Sequence, residues 1–159
     1  MGRQLKPAHI LSGAALVAAC AAFIAPWEGL RTAPYYDGAG VLTICYGETA
    51  GVTPGMRLSK AECVEMLRKS IPKYLEAVDS VGPLSQEERI AYTDFVYNVG
   101  PGAWRRSGIY KLIKAGKRTE ACNGLLAWDK IKGKISTWQQ KRRLKERQLC
   151  LSGLKASSS

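Results

Sequence analysis

The 159-residue sequence predicts an α+β fold in two lobes: a small N-terminal lobe with a β-hairpin or three-stranded sheet, and a mainly helical C-terminal lobe. Three observations carry this. Gly38, Gly40 and Gly47 bracket the apolar run Val41-Leu42-Thr43-Ile44, a short strand pattern bounded by turn residues. Two capping boxes, Ser59-Lys60-Ala61-Glu62 and Ser85-Gln86-Glu87-Glu88, each open a run of apolar residues. No long Pro/Gly/Ser linker divides the chain, and its length is enough for one domain with a sizeable core.

Taken in order, the N-terminal stretch comes first. Pro7 to Trp27 contains no Asp, Glu, Lys or Arg, while Arg3 and Lys6 precede it. A positive flank before an apolar run is the pattern of an export signal. Residues 10–25 would span about 24 Å as a helix, short of the roughly 30 Å hydrocarbon core. Seven alanines, Ser12 and Gly13 dilute its apolarity, so such a helix inserts weakly. The favoured reading of residues 1–26 is a releasable anchor, with the N-terminus inside and the remainder exported. Signal cleavage after Ala21, lipidation of Cys20 in Val17-Ala18-Ala19-Cys20, and a buried helix are the alternatives.

The strand region spans Asp37 to Thr49. Ser59 then opens a helix whose Val64, Leu67, Ile71, Leu75 and Val78 share one face, with Pro72 expected to kink or divide it. The helix after Ser85 is apolar nearly all round through Ile90, Ala91, Tyr92, Phe95, Val96, Tyr97 and Val99, which suits a buried central helix. Three further helices are expected near 104–115, 118–129 and 136–150, with Leu112, Ile113, Leu125 and Leu126 facing the core. The domain is placed at 27–153, and residues 154–159 read as a disordered tail.

The net charge is +11, and residues 105–147 alone hold fourteen Lys/Arg against three Asp/Glu. A basic half of this kind favours an acidic partner. Nothing matches a zinc finger, a helix-turn-helix or an aromatic RNA-binding motif, so no nucleic-acid partner is expected. Of the cysteines, Cys45, Cys63, Cys122 and Cys150 suit an exported domain with Cys45 paired to Cys63 and Cys122 to Cys150; buried free thiols are the competing reading. Cys20 is left over. No C-x-x-C pair exists and the only histidine, His9, precedes the domain, so no metal and no cofactor are expected.

Glu28, Asp37 and Thr43 form the pattern Glu-x8-Asp-x5-Thr. Glu28 falls near the end of a helix, where Trp27 and Leu30 supply apolar neighbours that raise a carboxyl pKa and suit it to general-acid work. Asp37 lies in a Gly-containing turn that keeps it hydrated and ionised, and Thr43 follows on a strand. A protonated and an ionised carboxyl together can hydrolyse a glycosidic bond.

From about Phe23 to Leu151 the chain resembles the phage-type lysozymes, the muramidases of glycoside hydrolase family 24. The resemblance rests on Glu28-Gly29-Leu30, Tyr36-Asp37, Gly40-Val41-Leu42-Thr43-Ile44, Phe95-Val96-Tyr97-Asn98-Val99-Gly100, Trp128, and Arg142-Arg143-Leu144-Lys145-Glu146-Arg147-Gln148-Leu149-Cys150. What precedes Glu28 makes it most similar to the signal-anchor-release phage endolysins. The resemblance implies Glu28 as acid, Asp37 as base and Thr43 as the group that helps hold water. It also implies inversion at the anomeric centre, with the carboxyls roughly 6.5–9.5 Å apart. Thr49, Tyr97 and Ser107 fall where the family lines its saccharide cleft. Two positions depart from the family pattern: Glu48 stands where a histidine is common, and Trp138 where a small residue precedes the Arg-Arg pair.

The substrate implied is peptidoglycan, cut between N-acetylmuramic acid and N-acetylglucosamine by a monomer. The host Sec machinery would export the chain. Residues 7–25 would hold it in the host inner membrane facing the periplasm, until a holin-type protein depolarises that membrane and the enzyme is freed. A cationic protein that damages membranes without hydrolysis is the competing class.

Overall fold

The structure, a computed structural model, describes residues 11–157, the side chains of 156 and 157 excepted. Arg3, Lys6, His9 and the first part of the expected anchor lie outside the described residues.

Helix α1 (Gly13–Glu28) opens on Ser12, whose side chain accepts from the Ala15 N–H at 3.1 Å, and ends at Gly29 with φ of 70°. It runs across the boundary expected at 26/27. Leu16, Cys20, Ala21 and Ile24 form its buried face, so the described part of the supposed anchor is packed into the protein. Among the described residues no helix is long and apolar enough to cross a membrane.

Strands β1 (Arg31–Tyr36) and β2 (Leu42–Cys45) then form an antiparallel hairpin. The expected sheet began at Asp37, whereas its first strand precedes that residue and Asp37–Gly40 is the turn. Arg31 pairs with Cys45 and Tyr35 with Thr43, so β1 carries two extra residues between those rungs. Pro34, which has no N–H for a ladder, falls within that irregularity. An isolated bridge from Ile44 to Glu48 closes the next turn.

Helix α2 (Lys60–Asp79) has the Ser59–Glu62 capping box and continues through Pro72, which is exposed. The ring costs one backbone hydrogen bond, but the buried residues before and after it hold the helix. Leu67, Ile71 and Leu75 enter the small-lobe core with α1, Ile44 and Tyr46. Ala77 and Val78 enter the helical-lobe core, so α2 spans both lobes.

Helix α3 (Gln86–Val99), capped by the Ser85–Glu88 box, is the central helix, with Glu88 and Ala91 to Val96 buried. The helix expected at 104–115 is two, α4 (Pro101–Arg106) and α5 (Gly108–Lys114), broken at Ser107, whose extended backbone caps α5. The helix expected at 118–129 is α6 (Arg118–Gly124) followed by a 3₁₀ turn, Leu125–Ala127, that turns Leu126 outward. A second hairpin was not foreseen: β3 (Lys130–Ile131) and β4 (Lys134–Ile135) join through Lys132-Gly133, both at positive φ, the geometry of a tight two-residue turn.

Helix α7 (Thr137–Ser157) packs chiefly on α3. It differs from the expected end of the fold: the helix passes residue 154, and Leu154 packs against the helical core. Disulfides join Cys45 to Cys63 and Cys122 to Cys150, tying β2 to α2 and α6 to α7.

Candidate active site

Glu28 is the last residue of α1, and its side chain is 20% exposed. Its Oε1 lies 2.7 Å from Arg142 Nη2 of α7, although no well-directed hydrogen bond reaches that oxygen. The same Nη2 donates to Asp94 Oδ1 of α3 at 2.6 Å, and Arg142 Nε donates to Asp94 Oδ2 at 3.0 Å. Asp94 thus takes the Nε–Nη2 edge of the guanidinium, and Glu28 stands beside an arginine that is already neutralised. Burial raises the Glu28 carboxyl above its ordinary value; Arg142 opposes this, and Asp94 adds to it.

The other face of Glu28 meets the turn after β2. A Cβ added to Gly47 would lie 3.8 Å from both Glu28 Oε2 and the Tyr97 hydroxyl. Tyr97 donates to the Tyr46 carbonyl and lies 3.4 Å from Glu48 Oε1, which also accepts from Ser70 Oγ at 2.8 Å. Glu48, which departs from the family pattern, is therefore held by hydroxyl donors. Burial pushes the Tyr97 hydroxyl far up, with Glu48 and Glu28 adding to the effect, so it remains a donor.

Asp37 stands at the opposite end of the hairpin. Its Oδ1 accepts from the Val41 N–H at 2.9 Å and the Ala39 N–H at 2.8 Å. These two backbone donors lower its pKa below the ordinary aspartate value. Thr43 is buried, at 2% exposure, and its hydroxyl donates to the Val41 carbonyl at 2.8 Å. The hairpin turn thus stabilises a charged carboxyl while the helix end disfavours one.

The remaining expected residues separate. Thr49 is exposed one residue beyond Glu48, and Tyr97 lies near Glu28. Ser107 is in the helical lobe with its hydroxyl used twice: it donates to the Trp104 carbonyl at 2.7 Å and accepts from the Tyr110 N–H at 3.1 Å. A sugar hydroxyl there would compete with the cap. A cavity of 440 Å³ beside Gly29, lined by Ala22, Pro26, Leu30 and Tyr46 among others, is mostly apolar and includes neither carboxyl. Among the described residues no three His, Cys, Asp or Glu side chains converge as metal ligands.

Asp94 was missed in the sequence, and its signal was available. An aspartate inside Ala91-Tyr92-Thr93-Asp94-Phe95-Val96 cannot be buried without a cation, and Arg142-Arg143 is the basic pair placed to meet it. Arg143 donates to Asn98 Oδ1 at 2.7 Å, lies over the Phe95 ring, and pairs with Glu146 at 3.2 Å. Of the two arginines, Arg143 is the closer to Glu146, while Arg142 serves Asp94 and Glu28.

The family model for phage lysozyme matches residues 25–146. The chain is 42% identical over 123 residues to the SAR-endolysin of Pseudomonas phage phiKMV, covering 76% of each. It is similar to the crystal structure of the active form of P1 phage endolysin Lyz, with a TM-score of 0.76 and 30% identity over 86% of this chain and 84% of that one. It is also similar to the muramidase domain of SpmX from Asticaccaulis excentricus, with a TM-score of 0.79 and 27% identity over 91% and 99%.

Proposed function

This chain belongs to the phage lysozyme family, glycoside hydrolases that lyse peptidoglycan, and from that premise we propose that it cleaves by inversion between N-acetylmuramic acid and N-acetylglucosamine. Glu28 is the general acid and gives its proton to the glycosidic oxygen as the bond to the anomeric carbon breaks. Asp37 is the general base: it takes a proton from a water that attacks that carbon from the opposite face. The Thr43 hydroxyl, with its hydrogen committed to Val41, accepts the water's other hydrogen and leaves the attacking lone pair free. Thr49 and Tyr97 are assigned to saccharide contact, and Ser107 only in competition with its cap.

The observation that carries this reading is the opposed environment of the two carboxyls. Burial raises Glu28, and two backbone donors lower Asp37, which separates acid from base. The decisive experiment uses purified sacculi. Glu28→Gln and Asp37→Asn should abolish turbidity clearing, and NMR of a soluble glycan should report the inverted anomer first. Retained configuration or anhydro ends would overturn the mechanism, and clearing by Glu28→Gln would point to membrane or wall damage without hydrolysis.

We further propose that the enzyme is controlled by release from the host inner membrane. Leu16, Cys20, Ala21 and Ile24 fill the small-lobe core, and the same residues would face lipid in an anchor. One helix cannot occupy both places, so a tethered chain lacks part of its core and has no seated Glu28. Export by the Sec machinery and dependence on a holin-type depolarising protein belong to the same proposal, as does residence in the periplasm once freed. Fractionation with wall-hydrolysis assays before and after depolarisation tests it: full activity in the membrane fraction would count against release control.

A further inference from the structure

Helix α1 presents Glu28 from a weak final turn. Pro26 has no N–H, so the Ala22 carbonyl loses its helical partner, and the carbonyls of the last four residues have no partner further along the helix. The chain then leaves through Gly29. Beyond the seating of Ile24 and Ala25 in the small-lobe core, this turn is held from α7, more than a hundred residues away in sequence. Trp138 Nε1 donates to the Trp27 carbonyl at 3.2 Å, and the two indole rings pack edge to face with centroids 5.3 Å apart. One helical turn later on α7, Arg142 stands against Glu28 itself. Side chains four residues apart share one face of a helix, so α7 offers a two-point seat for consecutive residues of α1.

Trp138 lies outside both hydrophobic cores and is 51% exposed. A large apolar ring kept in water with its N–H directed at a helix-end carbonyl is poorly explained by core packing. We propose that Trp138 is a positioning residue for the hydrolytic reaction: it caps the last turn of α1 through Trp27 and, with Arg142, sets where the Glu28 carboxyl stands. The inference rests on Glu28 being the acid. Besides Arg142, the charged and titratable groups facing Glu28 are Arg143 on α7 and Asp94 and Tyr97 on α3, and none of these needs to change.

The test uses the full released chain on soluble peptidoglycan fragments, with kcat, KM and the pH profile measured for Trp138→Phe, Trp138→Ala and Glu28→Gln. Trp138→Ala should lower kcat roughly 10- to 100-fold with little change in KM, as a misplaced catalytic group does. Its high-pH limb should move to lower pH, because water gains access to Glu28 and its carboxyl returns toward the ordinary value. Trp138→Phe keeps the ring and removes the N–H, and should fall between wild type and Trp138→Ala. Folded Trp138→Phe with wild-type kcat and high-pH limb would overturn the cap, whether or not Trp138→Ala folds. A loss confined to KM would assign Trp138 to sugar binding and would also overturn it. Activity surviving in Glu28→Gln would instead remove the acid assignment, so the two failures are told apart.

Discussion

Arg142 Nη2 stands 2.7 Å from Glu28 Oε1, yet the carboxyl is held above its ordinary pKa. A lone arginine at that distance would favour the charged form. Here Asp94 receives two hydrogen bonds from the same guanidinium, and burial outweighs what attraction remains. Arg142 can then orient Glu28 without ionising it. Asp94→Asn should strengthen the pull of Arg142 and remove a negative neighbour, and both effects lower the Glu28 pKa. The high-pH limb of kcat/KM should move to lower pH. Differential scanning calorimetry should also show a lower Tm, since half of a buried pair has lost its charge. An unmoved limb would mean that Asp94 does not govern the Glu28 carboxyl.

The wild-type profile follows from the same shifts. On the proposed mechanism the reactive form has Glu28 protonated and Asp37 ionised. Activity should fall as pH drops through the Asp37 pKa, which lies below its reference of 3.8, and as pH rises through the Glu28 pKa, which lies above its reference of 4.5. A bell with limbs further apart than the two reference values is expected on a soluble glycan at fixed ionic strength.

Gly47 has φ of 92°, a conformation that strains any L side chain. The added methyl of Gly47→Ala would meet Glu28 and Tyr97 at ordinary contact distance, so the cost lies in the backbone. Tm should drop by roughly 3–10 °C, corresponding to about 1–3 kcal/mol. Activity per folded molecule should drop too, because this turn shapes the surroundings of Glu28.

The disulfides close segments with sequence separations of 18 and 28 residues. By chain entropy each contributes roughly 3 kcal/mol. Cys122→Ser/Cys150→Ser should lower Tm with little effect on residual activity. Cys45→Ser/Cys63→Ser should lower both, since the hairpin that holds Asp37 loses its tie to α2. Cys20 is fully buried, and burial pushes its thiol up to about 12. A thiol reagent should therefore label no cysteine in the folded protein and one after denaturation without reductant.

Gly153 on α7 approaches the start of α3 so closely that a Cβ would overlap Ser85 Oγ and lie 2.9 Å from Glu87 Cβ. Gly153→Ala must displace the residue that caps α3. A loss of about 1–3 kcal/mol is expected in urea unfolding. The pH profile should stay unchanged, since the contact is at the opposite end of α3 from Tyr97 and Asn98.

The amino-acid order alone determined the local features: the capping boxes at Ser59 and Ser85, the buried face of α2, the central helix, and the turn that holds Asp37. These signals act within one turn or strand, and the nearest residues suffice to produce them. The cysteine pairs were legible because each joins neighbouring elements. Strand β1 was hidden by Pro34 and its irregular register, and β3–β4 by strands of two residues without a buried face. Tertiary structure decided what Arg142, Asp94 and Trp138 do for the end of α1. Their partners lie 48 to 114 residues away in sequence, and only the packing of α3, α7 and α1 brings them within bonding distance. A side chain's charge and shape are written in its type, but its pKa and its partner depend on what the fold places beside it.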